Sequence, residues 1–183
     1  MQPKIIRSCY FVITALILVA CSGGESNVLS GNRDGIFQYG NGSEPQGLDP
    51  HVVTGVPESH IVRALFEGLA VKNPYTLEPE PGVARSWDIS ADGRVITFYL
   101  NPEAKWSNGD PMSAADYVWS WQRLLSPALG AEYAYMLFPL KNAEAFATGK
   151  ITEFDEVGVK ALDDLTLQVT LNERTPYFLQ LMD

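Results

Sequence analysis

The chain of 183 residues is 46% hydrophobic and 19% charged, with a formal net charge of −9. That acidity excludes the basic footprint on which nucleic-acid binding depends, and no such partner is expected. Two cysteines, Cys9 and Cys21, and two histidines, His51 and His60, are too few for a disulfide framework or a Cys/His metal cluster, so no metal is expected; no motif points to a cofactor, and none is expected either.

Met1 to Ser8 carries Lys4 and Arg7 and no acid, and the apolar run "CYFVITALILVA" follows. A run of about 12 residues is too short to cross a ~30 Å hydrocarbon core as a helix. Residues 1–20 therefore read as a secretory signal peptide. Leu18-Val19-Ala20-Cys21 resembles the bacterial lipobox, whose cysteine sulfur receives a diacylglycerol group and becomes the first residue of the mature chain. Cys21 is thus the expected lipidation site and membrane anchor. Cleavage before it removes two cations and no acid, which takes the net charge from −9 to −11. It also removes Cys9, so stability has to come from an ordinary core rather than from disulfides.

Residues 21–34, "CSGGESNVLSGNRD", offer little to bury and read as a flexible tether. Ile36 to Tyr39 is strand-like by composition. Pro45 and Pro50 push the preceding Glu44 and Asp49 toward extended or turn backbone. In "VPESHIVRALFEGLAV", Pro57 suits a first helical turn, and Ile61, Leu65 and Leu69 recur at helical spacing beside Val62 and Phe66. "NPYTLEPEPGVARSWDIS" reads as a proline-rich link with a turn.

Trp87–Ile89 and Val95–Leu100 then read as strands joined through Asp92-Gly93, with Ile96, Phe98 and Leu100 on one face. An Asn-Gly turn and a helix follow in "KWSNGDPMSAADYVWSWQRLL". Ser113 and Asp116 stand at capping-box spacing there, and Tyr117, Trp121 and Leu124 form one stripe. Asn142 to Thr148 predicts a further helix, ended by Gly149. Leu165, Leu167, Val169 and Leu171 alternate with polar residues, the mark of a half-buried antiparallel strand, paired with another across Asp163-Asp164. "TPYFLQLMD" begins a last helix.

No G-x-S-x-G elbow is present, and Asp155-Glu156 and Asp163-Asp164 read as solvated turns rather than an acid/base pair. His51 reads as a hydrogen-bonding turn residue. Trp87, Trp106, Trp119 and Trp121 fit core and boundary packing better than a sugar-stacking platform.

The ordered series "GNGSEPQGLDPHVVTGVPESHIVRALFEGL", "PGVARSWDISADGRVITFYLNPEAKWSNGDPMSAADYVWSWQRLL" and "VGVKALDDLTLQVTL" closely resembles the periplasmic oligopeptide-binding proteins, the substrate-binding components of peptide ABC importers. The resemblance runs from Phe37 to Leu181, and its most specific block is Phe98 to Leu125. It implies an α+β fold of the periplasmic peptide-binding type, mainly antiparallel strands with short helices, of which this chain is an N-terminal portion. Residues 35–66 would be the first segment of one lobe. Residues 67–183 would be the extra domain of the peptide-binding class, truncated before the return to that lobe.

The resemblance also implies a ligand and partners: oligopeptides, an inner-membrane permease with its ATPase, and a periplasmic or extracytoplasmic location, without catalysis. A binder of many peptides has to read what all of them share, the main chain, and strand addition along an exposed edge does so. The matching edge here is Thr54, Gly55 and Val56, where Gly55 would allow close backbone approach. Thr54 stands where some members carry an acid. Tyr133 matches an aromatic position near the ligand. The alternative is a carbohydrate-binding or hydrolytic cell-envelope lipoprotein, which only the tryptophans support.

Overall fold

The computed structural model describes residues 24–183, so the signal-peptide and Cys21 expectations lie outside the described residues. The described residues fall into two compact units, divided between Gly42 and Ser43.

In the first unit, the stretch read as a tether carries a helix, α1 (Asn27–Asp34). The cause is good punctuation at both ends. Ser26 Oγ accepts from the Leu29 N–H at 3.3 Å, and Gly35 ends the helix in the left-handed region at φ 70°. Arg33 reaches back to Glu25 at 2.7 Å. The strand expected at Ile36 to Tyr39 does not form, because no strand among the described residues pairs with it. Phe37 and Tyr39 instead stack on each other, with ring centroids 6.3 Å apart.

The second unit is an α+β body built on a four-stranded antiparallel sheet. Its strands are β3 (Ala84–Ile89), β4 (Val95–Leu100), β5 (Val159–Asp163) and β6 (Thr166–Thr170), in the order β3-β4-β6-β5. The two central strands alternate as expected: Ile96, Phe98 and Leu100 of β4 and Leu167 and Val169 of β6 are buried. Register places Ile96 opposite Val169 and Phe98 opposite Leu167, which makes one continuous apolar face. The β3–β4 turn uses Asp92-Gly93, with Gly93 at φ 70° and the Asp92 carboxylate accepting from Ser90 Oγ–H at 2.6 Å.

Helix α3 (Ala114–Leu125) packs across β5 and β6 through Ala114, Trp121 and Leu125. The expected cap is present, since Ser113 N–H and Ser113 Oγ–H both donate to Asp116 Oδ2, at 2.7 and 3.0 Å. Ala114 N–H donates to Asp164 O at 2.8 Å, so the β5–β6 turn is tied to the start of this helix. Short helix α4 (Ala143–Ala147) is followed by Gly149 at φ 71°. Burial raises the Tyr117 phenol well above its ordinary value, and the Glu67 and Asp116 carboxylates raise it further.

Three expectations fail in this unit. Helix α2 (Val56–Leu65) stops before Leu69, because Phe66 turns to extended backbone and residues 68 and 69 enter sheet-like pairing: Gly68 O accepts from Val83 N–H and Leu69 O from Ala84 N–H. The proline-rich link forms a two-stranded ribbon, β1 (Ala70–Lys72) with β2 (Pro79–Pro81), turned through Asn73, whose side chain accepts from Tyr75 N–H and Thr76 N–H. "TPYFLQLMD" makes a 3₁₀ turn over Phe178–Met182, not an α-helix, and buries Phe178 and Met182.

Candidate functional site

The segment from Asp49 to Glu58 is fixed at both ends. Asp49 O accepts from Val52 and Val53 N–H at 3.1 and 3.2 Å, and Asp49 Oδ1 accepts from His51 N–H at 3.0 Å. At the far end Gly55 is the N-cap of α2, and its carbonyl accepts from Ser59 N–H at 3.0 Å. Between these points the main-chain N–H groups are uncommitted. No main-chain carbonyl among the described residues accepts from Thr54 or Gly55 N–H. Thr54 O receives the Tyr133 hydroxyl at 3.4 Å, a long and weak contact. Thr54 is exposed, Gly55 half-buried and Val56 exposed.

A cavity of ≈ 390 Å³ opens beside this segment, with Gln46, Val52, Val53, Thr54, Gly55 and Glu58 in its wall. Three of the four residues singled out in the sequence thus meet: Tyr133 is brought to Thr54, and Gly55 lines the cavity with Thr54. Val56 belongs to the same backbone run but points its exposed side chain elsewhere. Cys21 lies outside the described residues.

Glycine at 55 also has a reason within the chain itself. A β-carbon there would overlap Glu58 Oε2 and sit 2.9 Å from Glu58 Cδ. Glu58 is buried, and its Oε1 accepts from Gln46 N–H at 2.6 Å. The Gln46 N–H, followed by the residue's own N–H, holds this carboxyl below the ordinary glutamate range. Glycine at 55 thus leaves room for the Glu58 carboxylate at its own helix start, whatever a ligand adds. The G-x-x-E spacing of Gly55 and Glu58 was a readable signal for this contact.

A second constellation joins this segment to α3, and sequence reasoning missed most of it. Arg123 forks onto Asp49, Nη1 to Oδ1 at 2.9 Å and Nη2 to Oδ2 at 2.5 Å. Arg123 Nη1 also donates to His51 Nδ1, and His51 Nε2 lies 2.8 Å from Ser120 Oγ. Arginine cannot accept, so Nδ1 must be the bare nitrogen and Nε2 carries the proton toward Ser120. The Arg123 hydrogen bonds bring Asp49 from an ordinary 3.8 down to about 2. Burial, and then the charge of Arg123, lowers His51 from 6.5. His51 is a turn residue, as expected, but its ring crosses to another element 69 residues away.

Of the tryptophans, Trp121 is buried and Trp87 packs on the core, whereas Trp106 and Trp119 are exposed. Among the described residues no group of three or more His, Cys, Asp or Glu side chains is placed to hold a metal ion.

Residues 78–183 match the model of the bacterial extracellular solute-binding proteins, family 5, middle region. The chain is 49% identical over 144 residues to the periplasmic oligopeptide-binding protein OppA of Escherichia coli, covering 78% of this chain and 26% of that protein. It is 43% identical over 178 residues to the E. coli periplasmic murein peptide-binding protein MppA, covering 96% and 32% respectively. Among solved structures, Haemophilus influenzae OppA in complex with the peptide RPPGFSPFR superposes with a TM-score of 0.73 at 42% identity, over 78% of this chain and 28% of that one. The chain therefore spans between 26% and 32% of the length of these relatives. A family match over more than half the chain, on an α+β body of the same fold as periplasmic peptide-binding proteins, makes this chain a member of the bacterial extracellular solute-binding proteins, family 5.

Proposed function

We propose that this chain is the N-terminal part of the substrate-binding lipoprotein of a peptide ABC importer, held outside the cytoplasmic membrane through a lipid on Cys21. In this reading residues 35–66 open one lobe and residues 67–183 form the extra domain beside it. Oligopeptides are captured in extended form and handed to a permease with its ATPase. Binding and delivery are the whole task, and no residue acts as a catalyst.

The observation that carries the reading is the pair of uncommitted N–H groups of Thr54 and Gly55 at the edge of a cavity, with the Tyr133 hydroxyl against Thr54 O. Free N–H groups on a segment fixed at both ends, beside a carbonyl held only by a long hydroxyl contact, are what an extended peptide pairs with, and such pairing is indifferent to sequence. Tyr133 offers a ring face and a hydroxyl to the same ligand. Threonine at 54 leaves no carboxylate at that point for a peptide cation. The relatives that bear peptide-binding names lend the same direction. No observation favours a hydrolytic or carbohydrate-binding alternative.

The cleft of such a binder has two walls, and this chain would supply one. Calorimetry with mixed tri- to pentapeptides should find weak or no binding by the 183-residue chain, and firm binding by a longer gene product that adds the second wall. Micromolar binding by this chain alone would show that the cleft is wrongly assigned.

A further inference from the structure

The Asp49–His51–Arg123–Ser120 cluster joins the turn before the Thr54–Val56 edge to the last turns of α3, yet none of its members lines the cavity beside that edge. Arg123 rides on α3, which packs on the sheet. One planar guanidinium serves three acceptors in the turn: both oxygens of Asp49 and Nδ1 of His51. Asp49 in turn holds three N–H groups, His51 through its carboxylate and Val52 and Val53 through its carbonyl. A surface ion pair by itself contributes little. This one is different in kind, because the group it grips is the hub of the backbone leading into Thr54.

We propose that Arg123 is a positioning residue for the peptide-binding edge: through Asp49 and His51 it fixes where the Thr54–Val56 main chain lies against Tyr133, without touching a ligand. The inference rests on the reading of that edge given under Proposed function.

The hold is built to weaken in acid. Nδ1 accepts from Arg123 only while it is unprotonated. The charged groups facing the ring are Arg123 from α3 and Asp49 from the turn, and Ser120, also from α3, is neutral. A proton on Nδ1 turns an accepted hydrogen bond into an encounter of two cations. Asp49 Oδ1, 3.7 Å from Nδ1, is already engaged by Arg123 and compensates only in part.

Backbone ¹⁵N relaxation over residues 52–56 of this chain, at about pH 7.5 and at an acid pH where the His51 ring signals show it protonated, tests the proposal. In the wild type the order parameters should fall from ~0.85 toward ~0.6 on acidification. Arg123→Ala should give the low values at both pH values. His51→Asn, whose side-chain oxygen replaces Nδ1 as an acceptor that does not titrate, should stay ordered at both. An ordered edge in R123A with the sheet intact by circular dichroism would overturn the proposal, and so would wild-type pH dependence in H51N. The wild-type and H51N series decide the matter even where R123A fails to fold. Calorimetry on the longer gene product separates the two readings. An edge that obeys Arg123 but pairs with no peptide removes the ligand assignment and leaves the positioning role. Peptide binding by an edge indifferent to Arg123 removes the positioning role alone.

Discussion

Gly55→Ala tests the start of helix α2. The added β-carbon would overlap Glu58 Oε2 and lie 2.9 Å from Glu58 Cδ, so the carboxylate has to move. Gly55 has ordinary extended angles, φ −84° and ψ 153°, so backbone strain adds nothing. What is lost is the 2.6 Å bond from Gln46 N–H to Glu58 Oε1. Hydrogen bonds to a charged group contribute roughly 1.5–3 kcal/mol, and exchanging Gly for Ala at an N-cap costs a few tenths to about 1 kcal/mol more. Partial repair by water is open to a residue near the cavity mouth, so the net cost should be about 2 kcal/mol.

For a domain of this size that corresponds to roughly 4–8 °C in melting temperature. Urea unfolding should show a lower midpoint with an unchanged slope. The double-mutant cycle is sharper: in a Glu58→Ala background the obstruction is gone, and Gly55→Ala should cost under about 1 kcal/mol. Equal costs in the two backgrounds would refute the claim that Glu58 is what demands glycine at this position.

Acid should destabilise the fold in two stages. Folding lowers His51 below its free value of 6.5, so its contribution is complete above that value and is lost as the pH drops through the folded one. Asp49 is also lowered, from 3.8 to about 2, so its contribution is complete above 3.8 and vanishes between there and about pH 2. At 1.36 kcal/mol per unit this is roughly 2.4 kcal/mol, and screening of a pair 31% and 38% exposed reduces it to about 1 kcal/mol. A urea-midpoint profile against pH should show both stages, with Asp49→Asn shrinking the lower one, to which the lowered Glu58, Asp92 and Asp163 also contribute; an unaltered profile in that variant would contradict the assignment. Asp116→Ala removes both cap bonds of α3 and should cost about 1 kcal/mol by thermal melting. Cys21→Ala should abolish membrane fractionation while leaving the fold intact, and failure of labelled palmitate to enter the wild-type protein would end the anchor proposal.

The parts of the fold legible in the sequence were those whose cause is local or strictly periodic. Period-two burial in β4 and β6 shows directly in "VITFYL" and "LTLQVTL", the β3–β4 turn in Asp92-Gly93, and the α3 cap in Ser113 and Asp116. Elements decided by a distant partner were not legible. Pro79 and Pro81 argue against a strand until Ala70 and Lys72 lie beside them as the other half of a two-stranded ribbon. Leu69 continues the helical spacing of Leu65 but is drawn into pairing with Ala84. The candidate site divides in the same way. Gly55 and Glu58 are three residues apart and could have been read together, whereas Asp49 and Arg123 are separated by 74 positions that only the fold brings to contact.

That division bears on what the edge can do. An ordinary surface loop leaves its backbone to water and moves with it, so ordering it against a ligand costs about 1–2 kcal/mol per residue. On the proposed reading part of that cost is met beforehand, since the Asp49 turn and the first turn of α2 bracket the two residues whose N–H groups stay uncommitted. The one contact already made at Thr54 O, from Tyr133 at 3.4 Å, is weak enough for a shorter hydrogen bond to displace it. Fixed ends with free N–H groups between them are what the proposed strand-accepting edge needs, and in this chain those groups fall on Thr54 and Gly55.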